Sequence, residues 1–69
     1  MPLLSLEIGA RRRIKGVTGN DAARTRLEAL GFVEGMEVEI VNKVAGNLII
    51  GVLGSRVAVC GMLAARIMV

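Results

Sequence analysis

Hydrophobic and polar residues alternate most cleanly between Met36 and Val44. Met36, Val38, Ile40 and Val44 fall on one side there, and Glu37, Glu39 and Lys43 on the other. A period of two is the mark of a half-buried strand. From Leu48 to Leu53 the alternation fails. Leu48, Ile50 and Val52 suit a core, which leaves Ile49 and Leu53 facing outward with Gly51 between them. A strand apolar on both faces is normally covered on both faces. Ala45-Gly46-Asn47 joins these two strands as a tight hairpin, with Gly46 and Asn47 as the residues that tolerate a positive φ. Gly54-Ser55 turns the chain again, and Arg56 opens a fourth strand that runs to about Cys60.

Upstream the period changes. Ala23, Leu27 and Leu30 are spaced four and three apart, one face of a helix from about Asp21 to Leu30. Asn20 or Asp21 can accept the free N–H groups of its first turn. Gly31 stands where the helix needs a left-handed C′ residue, and Phe32 then becomes C″ against Leu27 at C3, the contact of a Schellman ending. Gly35 supplies the positive φ of the turn into Met36. Before the helix, a first strand spans about Ala10 to Val17 with Ile14 inward. Arg12 shares that face at a rim, and Arg11, Arg13 and Lys15 take the other. Leu3 and Leu6 form a short turn over one end of the core, Gly61 to Ala64 fits one helical turn, and Ala65 to Val69 closes with Ile67 and Val69 inward. The order is mostly β: five short strands, a short helix after the first and a one-turn helix before the last. Open edges on so many short strands invite aggregation, so the pattern predicts a small closed barrel.

Composition adds one pressure to this picture. Of 69 residues, 54% are hydrophobic but only Phe32 is aromatic. The core of this one expected domain, residues 1–69, must therefore be aliphatic. So short a chain cannot hide that much apolar surface, and the surplus predicts a face that meets another subunit or protein. Uncharged stretches stop short of the roughly 18 apolar residues of a crossing helix, and no cationic leader precedes Leu3. The single Cys60 forms no internal disulfide, which fits a reducing cytoplasm and no direct membrane insertion. The net charge of +3 is mild, but Arg11, Arg12, Arg13 and Lys15 form one patch. Such a patch suits phosphates, acidic lipid heads or an acidic protein face, and more commonly it is a solvated edge that discourages aggregation.

Catalytic and metal chemistry is thin. There is no histidine, and the six acids are Glu7, Asp21, Glu28, Glu34, Glu37 and Glu39. A ferrous site within one chain would use imidazole and carboxylate in a cluster. Only Glu37 and Glu39 share a strand face, and Cys60 reads as a small core or interface residue. No tightly bound cofactor is expected, while a weak or shared transition metal such as Fe2+ is left open. No nucleophile has a base beside it, and the Gly-Asn and Gly-Ser pairs sit in hairpins rather than phosphate loops.

Several residues taken together carry a resemblance. Arg26-Leu27, Leu30-Gly31-Phe32, Gly35 and Val38, followed by Gly54-Ser55-Arg56-Val57-Ala58-Val59 and then Ala64, Ile67 and Val69, resemble the FeoA domain. Leu3, Leu6, Gly9 and Ile14 also fall where that family has its opening turn and first strand. The resemblance implies an SH3-like five-stranded barrel and a non-enzymatic cytoplasmic accessory of bacterial ferrous iron uptake. It implies a partner too: the cytoplasmic part of FeoB, a membrane permease with a GTPase domain, which would hold the protein peripherally at the inner membrane. Two departures stand out. Glu34 occupies a turn position that is often proline in the family, and the link between the second and third strands is short. The candidate contact residues are Ile49 and Leu53 with Arg24, Arg26 and Arg56, supported by the turn and cap residues Gly31, Phe32, Gly35 and Gly54. Self-association into a homodimer or higher oligomer through the same apolar strand is also expected. The alternative reading is a small basic barrel on nucleic acid, or the module of a metal-dependent regulator that does not read DNA. A lack of aromatics for stacking weighs against nucleic acid.

Overall fold

The alternating segment becomes β3 (Glu37–Val44), one of the two interior strands of an antiparallel sheet with β4 (Asn47–Val52), β5 (Ser55–Cys60) and β1 (Arg11–Arg13), in the order β1-β3-β4-β5. A second sheet pairs β2 (Gly16–Val17) with β6 (Ile67–Met68). Helix α1 (Ala22–Ala29) lies between β2 and β3, and α2 (Gly61–Ala64) between β5 and β6. The computed structural model describes residues 1–19 and 21–69.

Inward residues of the larger sheet (Val38, Ile40, Leu48, Ile50, Val52 and Val59) join Leu3, Leu6, Ile14, Leu27, Phe32, Ala64, Ile67 and Val69 in one core. No charged or polar residue is buried among the described residues. Each such Leu, Ile, Val or Phe side chain contributes about 1.5–3 kcal/mol relative to leaving it in water.

The architecture differs from the expected closed five-stranded barrel in strand count and closure. The single strand expected over Ala10 to Val17 is two strands. Ile14 N–H donates to the Met36 carbonyl at 2.9 Å, and the next residue, Lys15, donates to Met68 at 2.7 Å. The chain thus changes partner over two consecutive residues, with the buried Ile14 side chain as the corner. Among the described residues there are six strands in two sheets, and no ladder joins β5 to the smaller sheet.

A bulge in β3 was not foreseen either. Ile40 pairs with Ile50, but Asn42 pairs with Ile49, so Val41 is an extra residue. One extra residue inverts the faces of everything after it. Val44, expected inside, is 52% exposed, and Lys43 takes the register position opposite Leu48. Both hairpins also shift by one residue. Val44 pairs with Asn47 around Ala45-Gly46 (φ 49° and 81°), and Val52 pairs with Ser55 around Leu53-Gly54 (φ 53° and 74°). Two successive positive φ angles make two-residue type I′ loops. Asn47 and Ser55 are therefore strand residues, and Leu53 is a turn residue rather than the end of a strand.

The helix keeps its expected ends. Asp21 accepts the Arg24 N–H at 3.3 Å as N-cap; the alternative cap, Asn20, lies outside the described residues. At the other end Gly31 (φ 106°) donates to Glu28 and Phe32 to Leu27, the two bonds of a Schellman motif. Leu30, expected on the buried face, is 47% exposed instead. The reversal at Gly31 brings the fully buried Phe32 under the helix, where it packs in the core with Leu27.

Candidate functional site

The outer face of the larger sheet carries a row of cross-strand neighbours: Arg11, Glu39, Gly51 and Arg56, one from each strand. Gly51 has no side chain, so the row has a notch between Glu39 and Arg56. That notch opens into a groove of about 360 Å³, walled by Arg11, Glu37 and Glu39 on one side and by Leu53 and Arg56 on the other. Arg11 lies 3.6 Å from Glu39, an exposed pair worth little by itself. Arg56 has no carboxylate partner among the described residues.

Leu53 dominates the rim. It is 65% exposed and holds a left-handed backbone at the hairpin tip. That conformation costs a bulky residue about 1–2 kcal/mol. Its side chain lies over Gly31: a Cβ added to Gly31 would stand 2.6 Å from Leu53 Cδ1. The helix stop and the hairpin tip thus meet, and Leu30 and Val33, which flank that stop in the sequence, are exposed as well. An apolar rim of Leu30, Val33 and Leu53 beside a charged groove is a surface suited to holding another macromolecule.

The predicted contact residues divide. Leu53 and Arg56 meet in the groove wall. Ile49 is half-buried on the same outer face, paired with Asn42 and Ala58. Arg24 and Arg26 remain on α1 and do not line the groove. Arg24 pairs with Glu28 at 3.6 Å and donates to the Gly19 carbonyl at 3.2 Å. Gly54 shares the I′ turn with Leu53, and Gly35 (φ 86°) donates its N–H to the Ile14 carbonyl, so both act through backbone shape. Sequence reasoning missed Arg11, Glu37 and Glu39 as groove residues. Their outward parity was visible, but their register against Gly51 was not. It also missed Leu30 and Val33.

The groove does not fit a resident transition metal. Glu37 and Glu39 line it without a third donor, and no group of three His, Cys, Asp or Glu gathers anywhere among the described residues. Cys60, expected in the core or an interface, is exposed. One ion pair away from the groove is short: Arg66 Nη1 to Asp21 Oδ1, 2.7 Å. The Arg66 hydrogen bond, helped by the Arg24 N–H, holds the Asp21 carboxyl below its ordinary value, while Asp21 raises the guanidinium of Arg66. No helix among the described residues is long and apolar enough to cross a membrane.

The FeoA domain model matches residues 1–69. The fold is that of FeoA from Stenotrophomonas maltophilia in complex with zinc, described as a procaryotic SH3 domain protein and suggested to be a ferrous iron transport activating factor. That likeness has 32% identity and a TM-score of 0.88, covering 99% of this chain and 87% of that one. An iron uptake regulatory protein (FeoA) aligns at 26% identity and TM-score 0.89, covering 97% and 91%. A manganese-dependent transcriptional repressor shares the fold alone, at 13% identity and TM-score 0.87, and this chain spans 39% of its length. No curated protein sequence matches the chain.

Proposed function

The chain belongs to the FeoA domain family, and we propose that it serves ferrous iron uptake as a non-enzymatic accessory that docks on the cytoplasmic part of a FeoB-like GTPase permease. The observation that carries this reading is Leu53, a strained leucine set at a hairpin tip where most of its surface meets water. A protein tolerates strain of this kind where the exposed group has work to do. In the proposed complex Leu53, with Leu30 and Val33, enters an apolar recess of the permease. Arg56 meets a carboxylate there, and Ile49 lies at the margin. Iron is cargo in this reading, and no step passes through a metal held by this chain.

Co-purification with the permease's soluble GTPase domain, with and without nucleotide, is the test. Leu53→Glu is expected to abolish capture while the variant stays folded; capture unchanged by it would refute this surface. The same rim also supports self-association, which sedimentation at micromolar concentration reads directly, and a dimer that survives Leu53→Glu would place that contact elsewhere.

A further inference from the structure

The edge of β1 is not used by the docking rim. β1 stands at one end of the order β1-β3-β4-β5, so one of its sides is open. The bonds that flank it on the β3 side belong to Ala10, whose carbonyl accepts from Ile40, and to Ile14, which exchanges bonds with Met36 and Gly35. Backbone groups alternate along an antiparallel strand, so Arg12 faces β3 and the N–H and C=O of Arg11 and Arg13 point outward. Among the described residues one of these four groups is engaged: Arg12 Nη1 donates to the Arg11 carbonyl at 2.9 Å.

The side chains on this edge are Arg11, Arg12 and Arg13, all exposed, with exposed Lys15 beyond. Arg11 is paired with Glu39, and Arg13 Nη1 donates to the Gly35 carbonyl at 3.0 Å. Among the described residues no carboxylate lies within ion-pair distance of Arg12, Arg13 or Lys15. Protection against aggregation does not account for this distribution. The other edge of the sheet, β5, has six residues and one cation, Arg56, whereas β1 has three residues and three cations. A three-residue edge needs less guarding against indiscriminate pairing than a six-residue one. Guanidinium groups also do what a guarding lysine does not, since each presents a fork that matches a carboxylate.

We propose that the β1 edge captures an extended segment of a partner protein rich in Asp and Glu. The segment adds as a fifth strand through the backbone of Arg11 and Arg13, while its carboxylates take up the guanidinium groups. Arg12 acts as a latch, because a carboxylate that draws it away uncovers the Arg11 carbonyl. Nucleic acid fits less well, since the one aromatic, Phe32, is fully buried and offers no face to a base.

The test titrates the nitrogen-15-labelled full chain with an eight-residue peptide of alternating glutamate and threonine. The same peptide N-methylated on alternate backbone nitrogens, a single-stranded oligonucleotide and phosphatidylglycerol vesicles are titrated in parallel. The expected result is shifts and slowed exchange at the Arg11 and Arg13 amides, with binding weakened about tenfold by N-methylation and by either Arg12→Glu or Arg13→Glu. Should Arg13→Glu unfold through loss of its Gly35 contact, Arg12→Glu carries the test, because the one hydrogen bond of the Arg12 side chain is to the neighbouring carbonyl. Equal binding of the N-methylated peptide, shifts centred on the Leu53 groove, tighter binding of the oligonucleotide or vesicles, or no binding at millimolar peptide would each overturn the proposal.

Discussion

Gly31→Ala tests whether the helix stop and the Leu53 hairpin tip are one unit. The new Cβ would stand 2.6 Å from Leu53 Cδ1, 3.3 Å from Leu53 Cγ and 3.4 Å from Val52 Cγ2. Two costs follow, and they can be separated. The backbone cost comes from φ of 106°, which an alanine adopts at about 1–2 kcal/mol. The steric cost is smaller, because Leu53 is exposed and can swing outward; overpacking by one methyl usually lies at or below the low end of about 1–3 kcal/mol. Together they predict a loss of about 2 kcal/mol, or a melting temperature lower by about 10 °C for a domain of this size. Urea unfolding of the wild type, Gly31→Ala, Leu53→Ala and the double variant forms a cycle. The coupling expected is about 0.5–1 kcal/mol, with the double variant recovering the steric part and none of the backbone part. A single variant within about 0.5 kcal/mol of wild type would refute the backbone argument, and zero coupling would refute the contact.

Further outcomes are expected. Leu53→Asn, which suits a type I′ turn, should raise stability by about 1 kcal/mol while weakening capture of the permease domain; Ala45→Asn in the other hairpin should stabilise without touching capture, and a parallel loss of capture would argue against Leu53 as the anchor. Gly61→Ala should cost about 1–3 kcal/mol by thermal melting, because its Cβ would stand 2.9 Å from the Gly46 carbonyl, a backbone atom that has no rotamer to escape into. The Asp21 carboxyl titrates below its ordinary 3.8, so its ion pair stabilises the fold fully above that value and stops doing so as the pH falls through the folded pKa. Asp21→Asn keeps an N-cap but loses the pair. It should therefore melt lower at pH 7 and converge on wild type only as the pH falls below 3.8 and through the folded pKa, and a constant gap across that range would exclude the linkage.

The parts of the fold set by local backbone rules were legible in the sequence. Gly31 and Phe32 announce the helix stop because few residues take that conformation, and Leu27 identifies its own partner. Val38, Ile40, Leu48, Ile50 and Val52 follow from a period of two. The bulge at Val41 was hidden because valine suits either face of a strand, so the slip leaves no mark in the pattern, and Val44 was misplaced with it. Leu53 was correctly read as outward but assigned to a strand, since nothing in its chemistry recommends it for a left-handed turn. The groove was out of reach for a different reason. It depends on Gly51 standing between Glu39 and Arg56, and cross-strand register is fixed by hairpin geometry rather than by the residues that face one another.

The two ends of the chain meet. Met1 donates to the Val69 carbonyl at 2.9 Å, Val69 returns a bond to Met1 at 2.8 Å, and Pro2 bridges to Met68. Anything appended at one end therefore departs from beside the other, and a longer polypeptide could be threaded through this point as string through a bead, entering and leaving without stretching the fold.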